Sequence, residues 1–190
     1  MLNYRIPIKR IGEKDWVKKL KSFLEEFDVE VEPIEDKNLL NITERRLNWQ
    51  MPTDMKEFYL HFGGICSDDF LYNFKNLEEI TPLSNEEWTY VTKKLEERII
   101  SDHIVFSESP SNDPICINKT TSEIFLFSHD PLRYSKVYNN FSDYIVAETI
   151  ALQELLGDLV FEGEEEKMKF MSEILSGDHI DYKFRNLKLE

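Results

Sequence analysis

The stretch Met51-Pro52-Thr53-Asp54-Met55-Lys56-Glu57-Phe58-Tyr59-Leu60-His61-Phe62-Gly63-Gly64 restricts the fold of this chain more than any other. Pro52 suits a helix start, where its missing N–H has no partner to lose, and Thr53 or Asp54 can cap or charge the first turn. Gly63-Gly64 offers the positive φ that commonly ends a helix. Met55, Phe58, Tyr59 and Phe62 recur at helical spacing, so a short, sharply bounded helix is expected to carry one broad aromatic face. The rest of the chain has to cover that face.

Enough apolar material exists to do so: 41% of the 190 residues are hydrophobic and 13% aromatic. From Glu13 onward, Trp16, Val17, Leu20, Phe23, Leu24 and Phe27 predict a first amphipathic helix. Val29 to Ile34 reads as an extended connector stopped by Pro33, and Ile42 to Leu47 as a brief helix leading into the aromatic one. Tyr4, Ile6 and Ile8 alternate as in a short edge strand. Loop and strand are expected over Ile65 to Leu83, then a helix capped by Ser84 or Asn85 through Trp88, Val91, Thr92 and Leu95.

Three or four short strands follow, at Ile104 to Phe106, Ile115 to Ile117, Ile124 to Phe127 and Lys136 to Tyr138, joined as an antiparallel meander. The connections Ser107 to Pro114 and Ser128 to Tyr134 read as loops. Asn140 or Ser142 caps a closing helix containing Phe141, Tyr144, Ile145, Ile150, Leu152, Leu155 and Leu156. A last helix holds Met168, Phe170, Met171, Ile174 and Leu175. No repeat or linker divides the chain, so a single α+β domain is expected, with a core at about 13–156 and a C-terminal helical extension at about 157–190.

Acidic side chains number 37 against 23 basic ones, a formal net charge of −14. That balance disfavours nucleic acid and anionic membrane, and it either favours a cationic protein partner or serves only to keep the protein soluble. Neither an apolar leader of about 7–15 residues nor a run of about 18 apolar residues is present, which predicts a cytoplasmic protein. Cys66 and Cys116 cannot form a disulfide framework and read as reduced core thiols. His61, His103, His129 and His179 lie far apart with no metal-binding spacing, and the acid pairs Asp68-Asp69, Glu78-Glu79 and Glu96-Glu97 read as solvated surface. A hydrolase using Cys66 or paired carboxylates is the enzymatic alternative. With no phosphate-binding glycine loop, no G-x-S-x-G and no metal-ligand spacing, the profile fits a binding module better than an enzyme. Its loop acids Asp68, Asp69, Glu108, Asp113 and Asp130 are the expected partner contacts.

The order of these pieces resembles the SUKH superfamily. Met51-Pro52, Phe58-Tyr59 and Gly63-Gly64 look like the family's core helix, with Met51 in place of leucine. Leu77-Glu78-Glu79-Ile80 with Trp88, Ile104-Val105-Phe106-Ser107, Asp113-Pro114-Ile115-Cys116-Ile117 and Phe141-Ser142-Asp143-Tyr144-Ile145 follow in the family's order over about Leu39 to Glu154. His61-Phe62 stands where the family commonly has asparagine. The resemblance implies a mixed, largely antiparallel sheet flanked by N-terminal and C-terminal helices, with no cofactor. It also implies inhibition of a cognate toxin by binding, as in bacterial immunity proteins, or a regulatory scaffold role, as in the fungal branch. The C-terminal extension leaves room for a homodimer contact.

Overall fold

The structure, a computed structural model, describes residues 5–31, 33–63 and 70–175. Its centre is a five-stranded sheet of β1 (Thr81–Pro82), β2 (His103–Glu108), β3 (Pro114–Asn118), β4 (Ile124–His129) and β5 (Leu132–Tyr138). The strands lie in sequence order, β1-β2-β3-β4-β5, and every pairing between them is antiparallel. The α+β class and the meander are thus present. Where the resemblance implied a mixed sheet, the four described pairings contain no parallel one.

Side-chain alternation gives this sheet two apolar faces. Ile104, Phe106, Ile115, Ile117, Ile124 and Leu126 enter the main core, while Val105, Cys116 and Phe127 enter a second, smaller one. The main core is closed by α1 (Trp16–Glu25), α2 (Asn38–Leu47), α3 (Thr53–Phe62), α6 (Phe141–Leu155) and α7 (Glu164–Ile174). On the other face lie a 3₁₀ turn (Glu86–Trp88), α4 (Thr89–Thr92) and α5 (Glu97–Ser101), with Leu83, Trp88 and Val91 as their buried anchors. The single helix expected from Ser84 to Leu95 is therefore broken into a 3₁₀ turn and α4. Its cap is as expected: Asn85 Oδ1 accepts a hydrogen bond from the Glu87 amide.

Helix α3 has the expected limits, and Met55, Phe58, Tyr59 and Phe62 are all fully buried. The reason for Gly63 differs from the expectation. Its φ is −70°, in the ordinary helical region. What requires glycine is space, because a Cβ here would lie 2.3 Å from Ile34 Cγ2 and 2.6 Å from the Tyr59 carbonyl oxygen. Gly64 lies outside the described residues.

Helix α6 is buried on nearly every side from Phe141 to Ile150, as a helix must be when sheet, α3 and the N-terminal segment all pack on it. Asn140 caps it by accepting from the Asp143 amide at 2.8 Å. Asp54 in the first turn of α3 accepts from both the amide (3.0 Å) and the hydroxyl (3.1 Å) of Ser142. The Ser142 hydroxyl in turn accepts from the Ile11 amide. Gln153 takes the Arg5 amide at 3.0 Å and donates to the Arg5 carbonyl at 2.9 Å. The first described residues are thus stitched to α6 by side chains and are not a strand of the sheet, correcting the edge-strand expectation for Ile6 and Ile8; Tyr4 lies outside the described residues. Leu159, Met171 and Leu175 belong to the main core, and Lys167 pairs with Glu154 at 2.6 Å, so the described part of the extension packs on α6.

Two loop expectations also change. Within Phe74 to Leu83 only Thr81–Pro82 is a strand, although the Lys75 and Leu83 amides also donate to the Phe106 and His103 carbonyls of β2. Arg46 and Thr43 of α2 instead hold the Leu77 and Ile80 carbonyls through side-chain hydrogen bonds of 2.8–2.9 Å. Conversely, the expected loop from Ser128 to Tyr134 is mostly strand: β4 runs to His129 and β5 starts at Leu132, with a cis Asp130–Pro131 turn between.

His103, at the start of β2, is buried between Phe125 and Phe127, whose rings lie 4.9 and 5.1 Å from its own. Its Nδ1 donates to the Ile99 carbonyl at 2.7 Å, leaving Nε2 to accept from Asn118. Burial pulls the imidazole below its ordinary value of 6.5, against the opposing effects of the Ile99 carbonyl and Asp102. The unfolded chain then binds a proton near pH 6.5 that the folded chain resists, so stability falls as pH drops below about 6.5 and levels off past the lowered native value. Glu123 is held below the ordinary carboxylate value chiefly by Lys136, and contributes only in a more acidic window. Urea midpoints at about pH 7.5 and 5.5 are expected to differ more for the wild type than for His103→Gln; an equal difference would contradict this account.

Candidate functional site

The hairpin geometry brings three of the five expected contact acids to one end of the sheet. Glu108 ends β2, Asp113 immediately precedes β3, and Asp130 lies in the β4–β5 turn. Asp68 and Asp69, like Cys66, lie outside the described residues.

Two of the three acids are not the free loop carboxylates expected from the sequence. Glu108 pairs with Lys75 Nζ at 2.6 Å, and that ammonium also lies 5.2 Å from the Trp88 ring centre. Asp113 is buried: its Oδ1 accepts from the His129 amide at 2.9 Å and meets His129 Nδ1 at 2.6 Å. Carboxylates at the rim of a core are held by whatever cation or N–H the neighbouring strand supplies, since an unpaired buried charge is costly. Asp130 alone of the three is exposed.

The loop between β2 and β3 is compact. The Ser109 hydroxyl accepts from the amides of Ser111 and Asp113, and Asn112, at φ 59°, turns the chain in the left-handed conformation that asparagine tolerates. That turn presents the Asn112 carbonyl to the Tyr90 hydroxyl, which donates to it. The Tyr90 ring stands edge-on to His129, 5.9 Å between centres, and is 38% exposed. Burial, reinforced by Glu108, Asp113 and Glu87, pushes its hydroxyl up to about 12, so it remains a neutral donor. Across the hairpin Tyr134 stacks on its register partner Phe127, 5.2 Å between centres and 12° between planes, and is 39% exposed.

Sequence reasoning missed this aromatic cluster. Tyr90 falls outside the apolar stripe of its helix, and Tyr134 falls in a segment read as loop. The signal that could have found it is the continuation of the Phe125, Phe127, His129 alternation past the point where β4 was expected to stop.

Chemically, the site can recognise but has little to react with. An aspartate-oriented histidine is one half of a nucleophilic arrangement. Cys116 is fully buried, and burial pushes its thiol well above the ordinary value, so it is no thiolate nucleophile. Among the described residues no group of three or more His, Cys, Asp or Glu side chains is placed to hold a metal ion. A shallow depression of about 400 Å³ on α2, lined by Asn41, Glu44, Arg45, Asn48, Trp49 and Gln50, has its carboxylate already engaged by Lys56 and the Met51 amide. No described helix is long and apolar enough to cross a membrane.

An antiparallel sheet packed between helices, with three acids and an aromatic cluster at its loop end, defines an α+β domain. Residues 35–147 match the SMI1/KNR4 family (SUKH-1), a span that contains every residue of the cluster just described; the chain belongs to that family, and so to the SUKH superfamily. Domains of this family generally serve as immunity or regulatory modules and bind partner proteins. No curated protein and no solved structure matches the chain.

Proposed function

We propose that this chain is a cytoplasmic immunity protein, not an enzyme, that binds a cognate toxin, a basic nuclease-type domain, and neutralises it by stoichiometric occlusion. Membership of the SUKH-1 family carries the reading, and the net charge of −14 supports it. A nuclease groove is cationic because it holds phosphates, and an acidic protein gains on-rate against it by steering. Asp68, Asp69, Glu108, Asp113 and Asp130 are proposed contributors to that acidic field, with Asp130 the most available of those described.

A regulatory scaffold for endogenous proteins is the second reading. Leu155, Leu156 and Val160, exposed near the end of α6, favour it, because a scaffold needs a further apolar surface. A tagged pull-down from the source cells, washed at low and then high salt, separates the two. The immunity reading expects one basic partner in near-equal stoichiometry, weakened by salt, whose toxicity this chain suppresses on co-expression. Several unrelated host proteins with no suppression of toxicity would refute it.

A further inference from the structure

The cap formed by the 3₁₀ turn, α4 and α5 buries Val105, Cys116 and Phe127 but no residue of β5. Leu132 is only half-buried at the margin of that core and Tyr134 is exposed, so the sheet continues beyond its cover. We propose that this uncapped aromatic face, centred on Tyr90, His129 and Tyr134, is the docking surface for an arginine-bearing segment of the partner protein. The inference rests on the partner-binding reading and deepens it: the anchors are the aromatic rings, with the acids supplying the field around them.

Three observations converge on that occupant. First, Tyr134 lies nearly parallel on Phe127, which covers one face of its ring, while the residue as a whole stays 39% exposed. A flat, immobilised ring is what a planar guanidinium stacks on. Second, Tyr90 is held twice, by the Asn112 carbonyl at its hydroxyl and by His129 at its ring, and His129 is itself held by Asp113. Little side-chain freedom remains to be lost on binding. Third, Glu108 and Asp113 are already engaged by Lys75 and His129, whereas Glu87, which acts on Tyr90, and Asp130, at the adjoining turn, are both exposed. The cations of β5 do not offset them. Arg133 alternates to the opposite face from Tyr134, and Lys136 is engaged by Glu123 at 3.0 Å and Asn139 at 2.9 Å.

The test is an NMR titration of the full-length ¹⁵N-labelled chain with the peptide acetyl-Gly-Arg-Gly-Arg-Gly-amide, and with its glutamate counterpart as control. Amide shifts centred on Tyr90, His129, Leu132 and Tyr134, seen with arginine and absent with glutamate, are expected. Tyr134→Ala should weaken the arginine peptide by about fivefold while Tyr134→Phe keeps its affinity. Shifts centred on another acidic surface such as Glu164 to Glu166, no shifts, or unchanged affinity in folded Tyr134→Ala would overturn the assignment. Concentration-dependent shifts of the same residues without peptide would overturn it in favour of a second copy of the chain. The failures are separable: a basic partner held undiminished by Tyr134→Ala removes this surface alone, whereas a pull-down with no basic partner removes the immunity reading.

Discussion

Replacing Phe58 by alanine is expected to destabilise the fold by about 3–5 kcal/mol, read as a drop in the urea midpoint at unchanged slope. Phe58 is completely buried, and its ring meets three elements at once. Ring centres lie 5.2 Å away at Phe62 within α3, 5.7 Å at Phe74 beyond it, and 5.5 Å at Phe141 at the start of α6. Phe74 and Phe141 each reach on to Phe106 in β2, so the cavity would open where helix, loop, closing helix and sheet meet. No single neighbour can move in without dragging an element with it. A loss below about 1 kcal/mol would show that this junction relaxes and that α3 is not the organising helix.

Trp88→Ala is expected to cost a similar amount, about 3–5 kcal/mol, but to express it locally. The indole is buried in the second core, donates to Thr81 Oγ1 at 3.1 Å, and lies under the Lys75 ammonium. Its apolar partners form a cluster separate from the main one. Opening of the cap need not disturb α3 or α6. Amide exchange should therefore accelerate by about a hundredfold or more over residues 86–101 while the amides of α3 and α6 keep their protection. Uniform acceleration across the whole chain would mean that the two cores open together.

How legible all this was in the sequence depended on how local each cause is. The limits of α3 follow from Pro52 and from residues within one helix, and the start of α6 from Asn140 three positions before the amide it caps. Both were readable. The β4–β5 hairpin was hidden because Pro131, Asp130 and the polar residues around them have loop composition, while an antiparallel pair half open to water tolerates polar side chains. Gly63 was read as glycine for its φ; a Cβ is in fact excluded by the Tyr59 carbonyl of its own helix and by the Ile34 methyl, and the latter comes from a distant connector that no local pattern reveals. The site suffered most. Acid-rich loops could be picked out by type, but Glu108 meets Lys75 across 33 residues, Tyr90 meets Asn112 across 22 and His129 meets Asp113 across 16. Which acids stay available to a partner is decided by those meetings.

The clasp between Arg5 and Gln153 spans 148 residues, and that between Ile11 and Ser142 spans 131. On a ribosome adding about 5–20 residues per second, the beginning of the chain waits roughly 7 to 30 seconds for the helix that holds it. From its own synthesis until Phe141 is added, the aromatic side of α3 lacks that ring, and the nascent chain presents to chaperones and proteases a surface that later becomes its interior. The fold is complete only once α6 has emerged, so the delay between translation and action is set by the fold itself.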